Sequence, residues 1–328
     1  MEVNYTKLEQ IEKAISKLYA EKYELLKEQN NINEPGRYDR YIKAQKSLRE
    51  PVDNPRIVYQ GEPGSYSDIA VHKLLGPDVE SKGLTRFEDT FEAIKNGLAD
   101  YAVLPIENSS TGAIRQVYDL LGKYAFFIVG ETAVPVKHCL MALPGTKLED
   151  IKRVYSHEQG LFQCEKFLNE HSEWELVPQP DTAGSAKKIA ETKEAGSAAI
   201  CSYLAAEIYG LEILADNIAY NSQNTTRFVI VSPNLELREG RDKICLSLST
   251  LHKVGSLNDI LSFFSANELN LVRLESRPIP EHNWEYMFFI EFMGDLTDPK
   301  IEKFMRQLVD MTYKVKVYGN FMSDLTTE

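Results

Sequence analysis

Cysteine and histidine are scarce in this sequence, and neither is arranged as a metal site requires. The six histidines show no H-x-H or H-x-x-x-H spacing, and no two cysteines form a C-x-x-C pair. Zinc binding and a disulfide framework are therefore not expected. We predict that all four cysteines are buried and reduced; they are Cys139, Cys164, Cys201 and Cys245.

Long hydrophobic runs and an excess of basic residues are also missing. No segment approaches the roughly 18 apolar residues of a membrane-spanning helix, and the charged opening MEVNYTKLEQIEK has no apolar signal-peptide core. The 37 basic residues are outnumbered by 49 acidic ones, which gives a formal net charge of -12. Such a chain is a poor candidate for binding nucleic acid or a membrane surface. The composition predicts a soluble, cytoplasmic protein.

The length of 328 residues exceeds what one hydrophobic core usually serves, so two or three domains are expected. Residues 4–29 carry leucine and isoleucine at three- and four-residue steps, the pattern of an amphipathic helix. Two prolines, Pro51 and Pro55, then bracket a linker. The helical segment 1–52 is too short for a stable core, so we expect it to dock on the rest of the chain or on a second subunit.

Strand and helix patterns alternate from residue 55 to residue 233, where we predict one α/β domain. This alternation favours mostly parallel strands with functional groups at their carboxyl ends, and the length could hold two lobes with a cleft. Within it we predict one continuous helix over His157–Asn169 and another over Ala199–Ile208. Residues 243–322 have the order βαββαβ of a ferredoxin-like domain. Such domains often sense a ligand by pairing between subunits.

The first candidate motif, GEPGSYS at Gly61–Ser67, stands between a predicted strand and a predicted helix. Its glycines permit a tight turn, and Ser65 or Ser67 could cap the helix while backbone N–H groups face an anion. A plain strand-to-helix turn accounts for the pattern at least as well. A similar cap is expected of Asp181 in DTAGSA, where small residues would suit close approach of a ligand or another backbone.

The second candidate motif, PIENSSTG, follows the apolar strand Tyr101–Leu104. Polar side chains at the carboxyl end of such a strand favour a ligand site over an ordinary Asn/Ser-rich turn. Asn108 could donate through its amide to a carboxylate or a hydroxyl. Ser109 and its neighbours could present hydroxyl and backbone N–H groups.

The third candidate motif is YSHEQGLFQC, which begins at Tyr155. Ser156 and Gln159 fit a helix capping box, and Gln163 lies two turns from Ser156 on the same predicted helix face. A nucleophile pair of Ser156 and His157 is rejected, because adjacent residues on a helix do not face each other and no G-x-S-x-G elbow surrounds them.

The last candidate motif is NTTRF, which a run of polar residues precedes. The planar fork of Arg227 suits a carboxylate, and Thr226 supplies a short, stiff hydroxyl. Together the candidate groups are hydroxyls, amides and one or two cations, which would orient a small polyanionic substrate for elimination or decarboxylation. We expect a locally basic pocket on an acidic protein, built from Arg227, helix N-termini and Lys137 or Arg115.

These motifs, in this order and spacing, resemble the signature set of the prephenate dehydratase family: GEPGSYSDIA, VLPIENSSTG, YSHEQGLFQC, DTAGSA and NTTRFVIVS. The later stretch GSLNDILSFFSANELNLVRLESRP resembles the ACT domain that follows in those enzymes. The resemblance implies a two-lobed catalytic region similar to the periplasmic-binding-protein fold. It also implies conversion of prephenate, a small dianion, to phenylpyruvate with loss of carbon dioxide and water, without a cofactor.

The resemblance further implies roles for individual residues. Thr226 would hydrogen-bond or protonate the departing hydroxyl. Hydrogen-bonded neighbours would have to assist it, because a free threonine hydroxyl is a very weak acid. The other expected site residues are Asn108, Ser156 and Gln163 as catalytic groups, and Arg227, Ser65, Ser67, Ser109 and Thr182 as substrate-binding groups.

In the ACT domain, the resemblance places phenylalanine, as an inhibitory effector, near two short segments. They are Gly255, Ser256 and Leu257 in the loop, and Glu275, Ser276, Arg277 and Pro278 in ESRP. The resemblance also implies a dimer or tetramer formed through this domain.

The N-terminal segment vaguely resembles the opening helix of a chorismate mutase domain, which is fused to this enzyme in some bacteria. That domain needs three helices and several arginines, and the long helix here contains none. We expect a remnant or a dimerisation arm without mutase activity. Two alternatives to the dehydratase assignment stay open: an arogenate dehydratase, and a catalytically silent amino-acid-binding sensor.

Overall fold

The computed structural model describes residues 14, 17, 18, 21, 25, 49–250, 254–278 and 286–325. It divides into two compact units. The first unit contains Val52–Phe126 and Gly130–Pro233, and the second contains Phe127–Val129 and Asn234–Ser323. Most of the N-terminal segment, and with it the expected remnant or dimerisation arm, lies outside the described residues. In the described part of the chain, no helix combines the length and apolar character that crossing a membrane requires. All four cysteines are buried, as predicted.

The first unit contains two sheets, and the first of these has the strand order β2-β1-β3-β11-β5, with β4 paired to β3. Its strands are β1 (Ile57–Gln60), β2 (Ser81–Leu84), β3 (Tyr101–Asn108), β4 (Gly112–Ala113), β5 (Phe127–Pro135) and β11 (Thr225–Ser232); of β5, the first unit contains the part from Gly130 onward. Its helices are α1 (Tyr66–Leu75), α2 (Phe87–Lys95) and α3 (Arg115–Tyr124). Strand β1 is parallel to β2 and β3, whereas β11 is antiparallel to β3.

The second sheet has the order β10-β6-β9-β7-β8. Its strands are β6 (Cys139–Ala142), β7 (Arg153–His157), β8 (Glu175–Gln179), β9 (Ser197–Cys201) and β10 (Glu212–Ala215). Its helices are α4 (Glu158–Gln163), α5 (Glu165–Asn169), α6 (Thr182–Thr192) and α7 (Tyr203–Tyr209), with a 3-10 turn at Leu148–Asp150. Strand β7 is parallel to β8 and β9, whereas β6 is antiparallel to β9 and β10.

The chain crosses between the two sheets twice, from β5 to β6 and back from β10 to β11. Each sheet with its helices therefore forms one lobe, and the predicted two-lobed α/β architecture is confirmed. The sheets are mixed rather than mostly parallel. The reason is the two crossings: β6 runs against its neighbours after the first, and β11 runs against β3 after the second.

Two predictions of continuous helices are wrong. The expected helix over His157–Asn169 is two short helices that meet at Cys164, and His157, not Ser156, is the N-cap of the first. Ser156 lies within strand β7, which ends at His157, so the predicted capping box does not form. The expected helix over Ala199–Ile208 begins instead after the N-cap Ser202. The preceding small residues form the fully buried strand β9, because a short apolar run does not distinguish a strand from a helix.

The second unit has the predicted order βαββαβ and the sheet order β13-β14-β12-β15. Its elements are β12 (Lys243–Ser249), α8 (Ser256–Ala266), β13 (Leu271–Pro278), β14 (Tyr286–Met293), α9 (Pro299–Met311) and β15 (Lys314–Phe321). The helices cover one face of the sheet. Phe264 and Phe304 of the two helices pack edge to face at 4.8 Å between ring centres, and both contact Phe292 of β14.

Candidate functional site

A cavity of about 560 Å³ lies between the two lobes of the first unit. It is lined by residues at or just beyond the carboxyl ends of strands: Gly61 after β1, Arg86 after β2, Asn108 at the end of β3, His157 at the end of β7, and Asp181 after β8. This is the position where open α/β sheets bind ligands. Residues at the carboxyl ends of strands, where the sequence predicts the functional groups, therefore line one cavity.

The cavity wall also contains the first residues of several helices. Helices α1, α2, α3 and α6 begin at the cavity, through Tyr66, Phe87, Gln116 and Thr182. The first turn of a helix has unsatisfied N–H groups and a partial positive charge, so it stabilises an anion. Four helices of nine residues or more that begin on one cavity make it suitable for a ligand with negative charge.

Two of these helices have the caps that the sequence predicts. Ser65 is the N-cap of α1, and its Oγ accepts from the Asp68 N–H at 3.3 Å. Asp181 is the N-cap of α6, and its Oδ1 accepts from the Gly184 N–H at 2.6 Å. Gly64 needs to be glycine because of its backbone conformation and a close neighbour. Its φ is +84°, and a Cβ there would lie 2.7 Å from Cα of Ala205 in α7.

Asn108 and Thr226 stand opposite each other on the antiparallel strands β3 and β11. The Asn108 amide Nδ2 donates to Thr226 Oγ1 at 2.9 Å and to Asn224 Oδ1 at 2.8 Å. Its Oδ1 accepts from the N–H groups of Ser110 and Thr111 at 3.0 and 3.1 Å. Both N–H groups of the Asn108 amide therefore donate to protein oxygens. The amide is not free to donate to a ligand, as the sequence suggests it could.

The Thr226 hydroxyl differs from the Asn108 amide in its hydrogen bonding: its oxygen accepts a bond from Asn108. Thr226 lines the cavity. A hydroxyl oxygen that already accepts still has its own hydrogen to donate, and accepting a bond strengthens that donor. Thr226 can therefore donate a hydrogen bond to a group bound in the cavity.

Asn224 is a site residue that the sequence reasoning missed. It is buried, and its Oδ1 also accepts from the hydroxyls of Ser110 and Ser109 at 3.2 and 3.4 Å. Ser109 is exposed and does not line the cavity; its Oγ accepts from the Thr225 N–H at 3.0 Å. The polar run before Thr226 signals a site, but it gives no means of identifying which of its amides points inward.

Ser156 and Gln163 occupy different positions from each other. Ser156 is fully buried, and its Oγ donates to the Ile200 carbonyl at 2.8 Å. It lies beneath Gly160, which lines the cavity: a Cβ on Gly160 would lie 2.7 Å from the Ser156 Oγ. Gln163 does line the cavity, and its Oε1 lies 2.9 Å from Nε2 of His138. Ser65, Ser67 and Thr182 line it as well.

The structure does not place Arg227 at the cavity. Side chains alternate along a strand, so Thr226 and Arg227 point to opposite faces of β11. Arg227 is buried, with its Nε 2.7 Å from Glu131 Oε2 and its Nη1 3.4 Å from Glu107 Oε2. Its carboxylate partners are therefore protein side chains. This corrects the expectation that Arg227 binds a substrate carboxylate.

Among the described residues, Arg86 is the one lysine or arginine that lines this cavity; Lys137 and Arg115 do not line it. Arg86 follows β2, a short strand of sequence SKGL whose pattern does not predict a strand, which is why the sequence reasoning missed it. Asp181 lines the same cavity, and burial raises the pKa of its carboxyl. The guanidinium of Arg86 is mostly exposed and pairs with Asp89 at 2.7 Å, so the positive potential expected of the pocket comes chiefly from the helix N-termini.

We predict that Arg227→Met lowers stability more than it alters ligand binding. The change removes the cation beside the buried Glu131 carboxylate, and breaking a buried pair in this way costs about 3–5 kcal/mol. Urea unfolding of the purified variant measures the loss. Arg56→Met, which removes an exposed pair with Asp100, should cost much less, because solvent screens such a pair. Unchanged stability with weakened substrate binding would contradict this structural role.

In the second unit, β12, which precedes the Gly255 segment in the chain, and the Glu275–Pro278 segment finish at the same end of the sheet. Met287 of β14 pairs with Ser249 at the end of β12 and with Arg277 near the end of β13. Helix α8, which follows β12, begins after Gly255, whose φ is +85°. The segment Glu275–Pro278 lies on β13, one of the two edge strands of the sheet. Binding of an effector there stays a prediction.

Comparison with known proteins agrees with this architecture. Residues 57–235 match the family described as prephenate dehydratase, and residues 246–310 match the ACT domain. The chain is 36% identical over 286 residues to a bifunctional chorismate mutase/prephenate dehydratase of Enterobacter agglomerans. The aligned region covers 85% of this chain and 74% of the relative. It is 38% identical over 293 residues to arogenate dehydratase 3, chloroplastic, of Arabidopsis thaliana. The aligned region covers 84% of this chain and 68% of that relative.

Two solved structures are similar over most of the chain. One is the prephenate dehydratase of Arthrobacter aurescens in complex with L-Phe, with 31% identity, a TM-score of 0.74, and coverage of 82% of this chain and 90% of that one. The other is GqqA, described as a novel type of quorum quenching acylase, with 30% identity, a TM-score of 0.74, and coverage of 82% and 98%.

Fold, site and sequence similarity together define a two-lobed α/β lyase domain followed by an ACT domain. The chain belongs to the prephenate dehydratase family.

Proposed function

We propose that this protein converts prephenate to phenylpyruvate with loss of carbon dioxide and water. The observation that carries the proposal is the Thr226 hydroxyl, which lines the cavity and accepts from Asn108. The homologues named as prephenate dehydratases support it.

An acylase mechanism would need a nucleophile beside a base. The two histidines that line the cavity have other partners than a serine or cysteine nucleophile. His157 Nδ1 accepts from the Gln159 N–H, and the His138 ring contacts Gln163 and Tyr66.

The chemistry requires little from the protein beyond position and polarisation. The bond from the ring to its carboxylate breaks, its electron pair enters the ring, and the carbon–oxygen bond of the ring hydroxyl breaks at the opposite carbon. The departing hydroxide takes up one proton and leaves as water. Thr226 donates a hydrogen bond to that oxygen, and the charge that develops there is stabilised because Asn108 already polarises the Thr226 hydroxyl.

The two carboxylates of prephenate bind to the positive groups of the cavity wall. These are chiefly the N-termini of α1, α2, α3 and α6, assisted by the guanidinium of Arg86, which also pairs with Asp89. Ser65, Ser67 and Thr182 add hydroxyls at two of these helix starts, and Gln163 adds an amide. Ser109 and Ser156 act behind the wall, on Thr225 and beneath Gly160, and therefore support the site without touching substrate.

Arogenate is a second candidate substrate, because one observation favours it. Arogenate has an ammonium where prephenate has a keto group, and the carboxylate of Asp181 lines the cavity. An ammonium beside that carboxylate would form a charge-assisted hydrogen bond. Relatives named arogenate dehydratase match at similar identity. Side-by-side measurement of kcat/KM for the two substrates with the purified protein decides between them, and activity on neither would refute the proposed function.

Phenylalanine is the proposed inhibitor, bound at the sheet end formed by Gly255 to Leu257 and Glu275 to Pro278. The related structure in complex with L-Phe supports this assignment. A bound amino acid needs polar groups for its ammonium and carboxylate and an apolar pocket for its ring. The edge position of β13 also suits pairing with a second subunit, so the proposal includes a dimer or tetramer formed through this domain.

We predict that Leu257→Ala raises the phenylalanine concentration needed for half-maximal inhibition about tenfold or more, because it removes an apolar side chain from the proposed ring pocket. Turnover without phenylalanine should stay unchanged, since Leu257 lies in the second unit. Inhibition curves for the variant and for Asn258→Ala, an exposed neighbour, provide the comparison. Equal inhibition of all three proteins would exclude this location.

The N-terminal segment is proposed to have no mutase activity and to serve as a remnant or dimerisation arm. Measurable conversion of chorismate to prephenate by the purified protein would overturn this part. The cytoplasm is the proposed location, which the composition favours, although several plant relatives have names that include chloroplastic.

A further inference from the structure

His138 connects the two lobes of the first unit through its side chain. It lies on the crossing between β5 and β6, is buried, and lines the cavity. Its Nδ1 is 3.2 Å from the hydroxyl of Tyr66 on α1, in the first lobe. Its Nε2 is 2.9 Å from Oε1 of Gln163 on α4, in the second lobe. The imidazole thus holds the one cavity-lining amide to which the mechanism assigns substrate contact.

The number of protons on Tyr66 and His138 limits the hydrogen bonds that these two side chains can form. Burial lowers the pKa of His138, so the ring is neutral near pH 7 and has one N–H and one accepting nitrogen. Burial also raises the pKa of Tyr66, so its hydroxyl keeps its single hydrogen. Tyr66 can donate that hydrogen either to His138 Nδ1 or to the Lys137 carbonyl, which is 2.8 Å away.

Two arrangements satisfy these limits and also give each ring nitrogen of His138 a hydrogen-bond partner. In the first, Tyr66 donates to Nδ1, and Nε2–H donates to Gln163 Oε1, so the amide N–H groups of Gln163 face the cavity. In the second, Tyr66 donates to Lys137, Nδ1–H donates to Tyr66, and Nε2 accepts from the amide of Gln163. The carbonyl oxygen of Gln163 would then face the cavity. The two arrangements differ in which nitrogen of His138 carries the proton and in the orientation of the Gln163 amide.

The charge of the ligand favours the first arrangement. A carbonyl oxygen aimed at a carboxylate is repelled, whereas two N–H groups donate to it. We propose that His138 is a positioning residue, which carries its proton on Nε2, donates to Gln163 Oε1, and so turns the Gln163 amide N–H groups toward a substrate carboxylate. This inference rests on the proposed function only for the identity of the anion.

The tautomer itself can be measured without any enzymatic activity. Nitrogen-15 spectra of histidine-labelled wild-type protein distinguish a protonated Nε2 from a protonated Nδ1, and loss of one signal set in His138→Gln assigns the residue. We expect Nε2 to carry the proton. A proton on Nδ1 overturns the proposal, whether or not the protein turns over prephenate.

Two substitutions separate the role of Nε2 from that of the ring. A glutamine amide can reach the position of Nε2, whereas an asparagine amide reaches only that of Nδ1. His138→Gln should therefore keep KM for prephenate within about threefold, and His138→Asn should raise KM about 10- to 100-fold with a smaller change in kcat. His171→Asn, a change away from the cavity, is the matched control. Equal KM effects of the Gln and Asn variants would contradict the proposal.

A double-mutant cycle tests whether His138 acts through Gln163. In the Gln163→Ala background, His138→Asn should leave KM unchanged, because the amide that His138 orients is gone. A further rise in KM equal to that in the wild-type background would show that His138 acts by another route. Absence of prephenate turnover in the wild-type protein would refute the proposed function, and the nitrogen-15 result would still decide the tautomer.

Discussion

Replacing Thr226 by alanine is expected to lower kcat for prephenate about 10²- to 10⁴-fold, the range associated with loss of a positioned proton donor or transition-state hydrogen bond. The change removes the hydroxyl that lines the cavity and leaves the adjacent Asn108 N–H without its acceptor. Thr226→Ser keeps the hydroxyl, so it should retain much of the activity. Formation of phenylpyruvate, followed by its absorbance, gives the rates.

Thr225→Val is a suitable control for this prediction. Thr225 is the preceding residue on β11, and its Oγ1 donates to the Gln223 carbonyl at 3.3 Å, away from the substrate contacts assigned here. The control should have close to wild-type kcat. Inhibitor binding by Thr226→Ala should also resemble wild type, whereas the unpaired Asn108 N–H should cost about 1–3 kcal/mol of stability. Near-normal kcat in Thr226→Ala would show that another group assists the leaving hydroxyl.

Asn108→Asp is expected to lower kcat about 10²- to 10³-fold with little loss of stability. The new carboxylate has no N–H to donate, so the Thr226 hydroxyl would turn and donate to it instead of to the substrate. The fold can tolerate the change. Ser110 and Thr111 still have an acceptor, and the Nδ2 of Asn224, which has no partner within the described residues, can turn to donate to the carboxylate.

The matched control for Asn108→Asp is Asn96→Asp, which makes the same charge change at an exposed position at the end of α2. Its kcat should equal that of the wild type. If Asn108→Asp instead unfolded at a much lower urea concentration, Asn108 would be chiefly structural. If it kept full activity, Asn108 would not control the direction of the Thr226 hydroxyl.

The order of strands and helices could be predicted well where the sequence has strong periodicity or clear end signals. The second unit is such a case, since all six of its elements follow the predicted βαββαβ order. Helix α6 begins at the predicted Asp181 cap. The prediction failed at β9, where small apolar residues fit a helix equally well, and at β2, whose sequence SKGL has no apolar pattern.

The residue types of the site could be predicted, but their contacts could not. Thr226, Asn108 and Gln163 line the cavity as expected. The bond between Asn108 and Asn224 joins residues 116 positions apart, and it depends on the register of β3 against β11. The partners of Arg227 depend on the same register, because Glu107 stands directly opposite it and Glu131 lies on β5. A linear sequence does not contain that register.

The most direct test of the whole account is the stoichiometry of the reaction. Purified wild-type protein is mixed with prephenate at neutral pH, and carbon dioxide and phenylpyruvate are measured together over time. The account predicts one molecule of each product for every prephenate consumed, at a rate far above that in buffer and above that of Thr226→Ala. Loss of prephenate at the same rate with and without protein would contradict it.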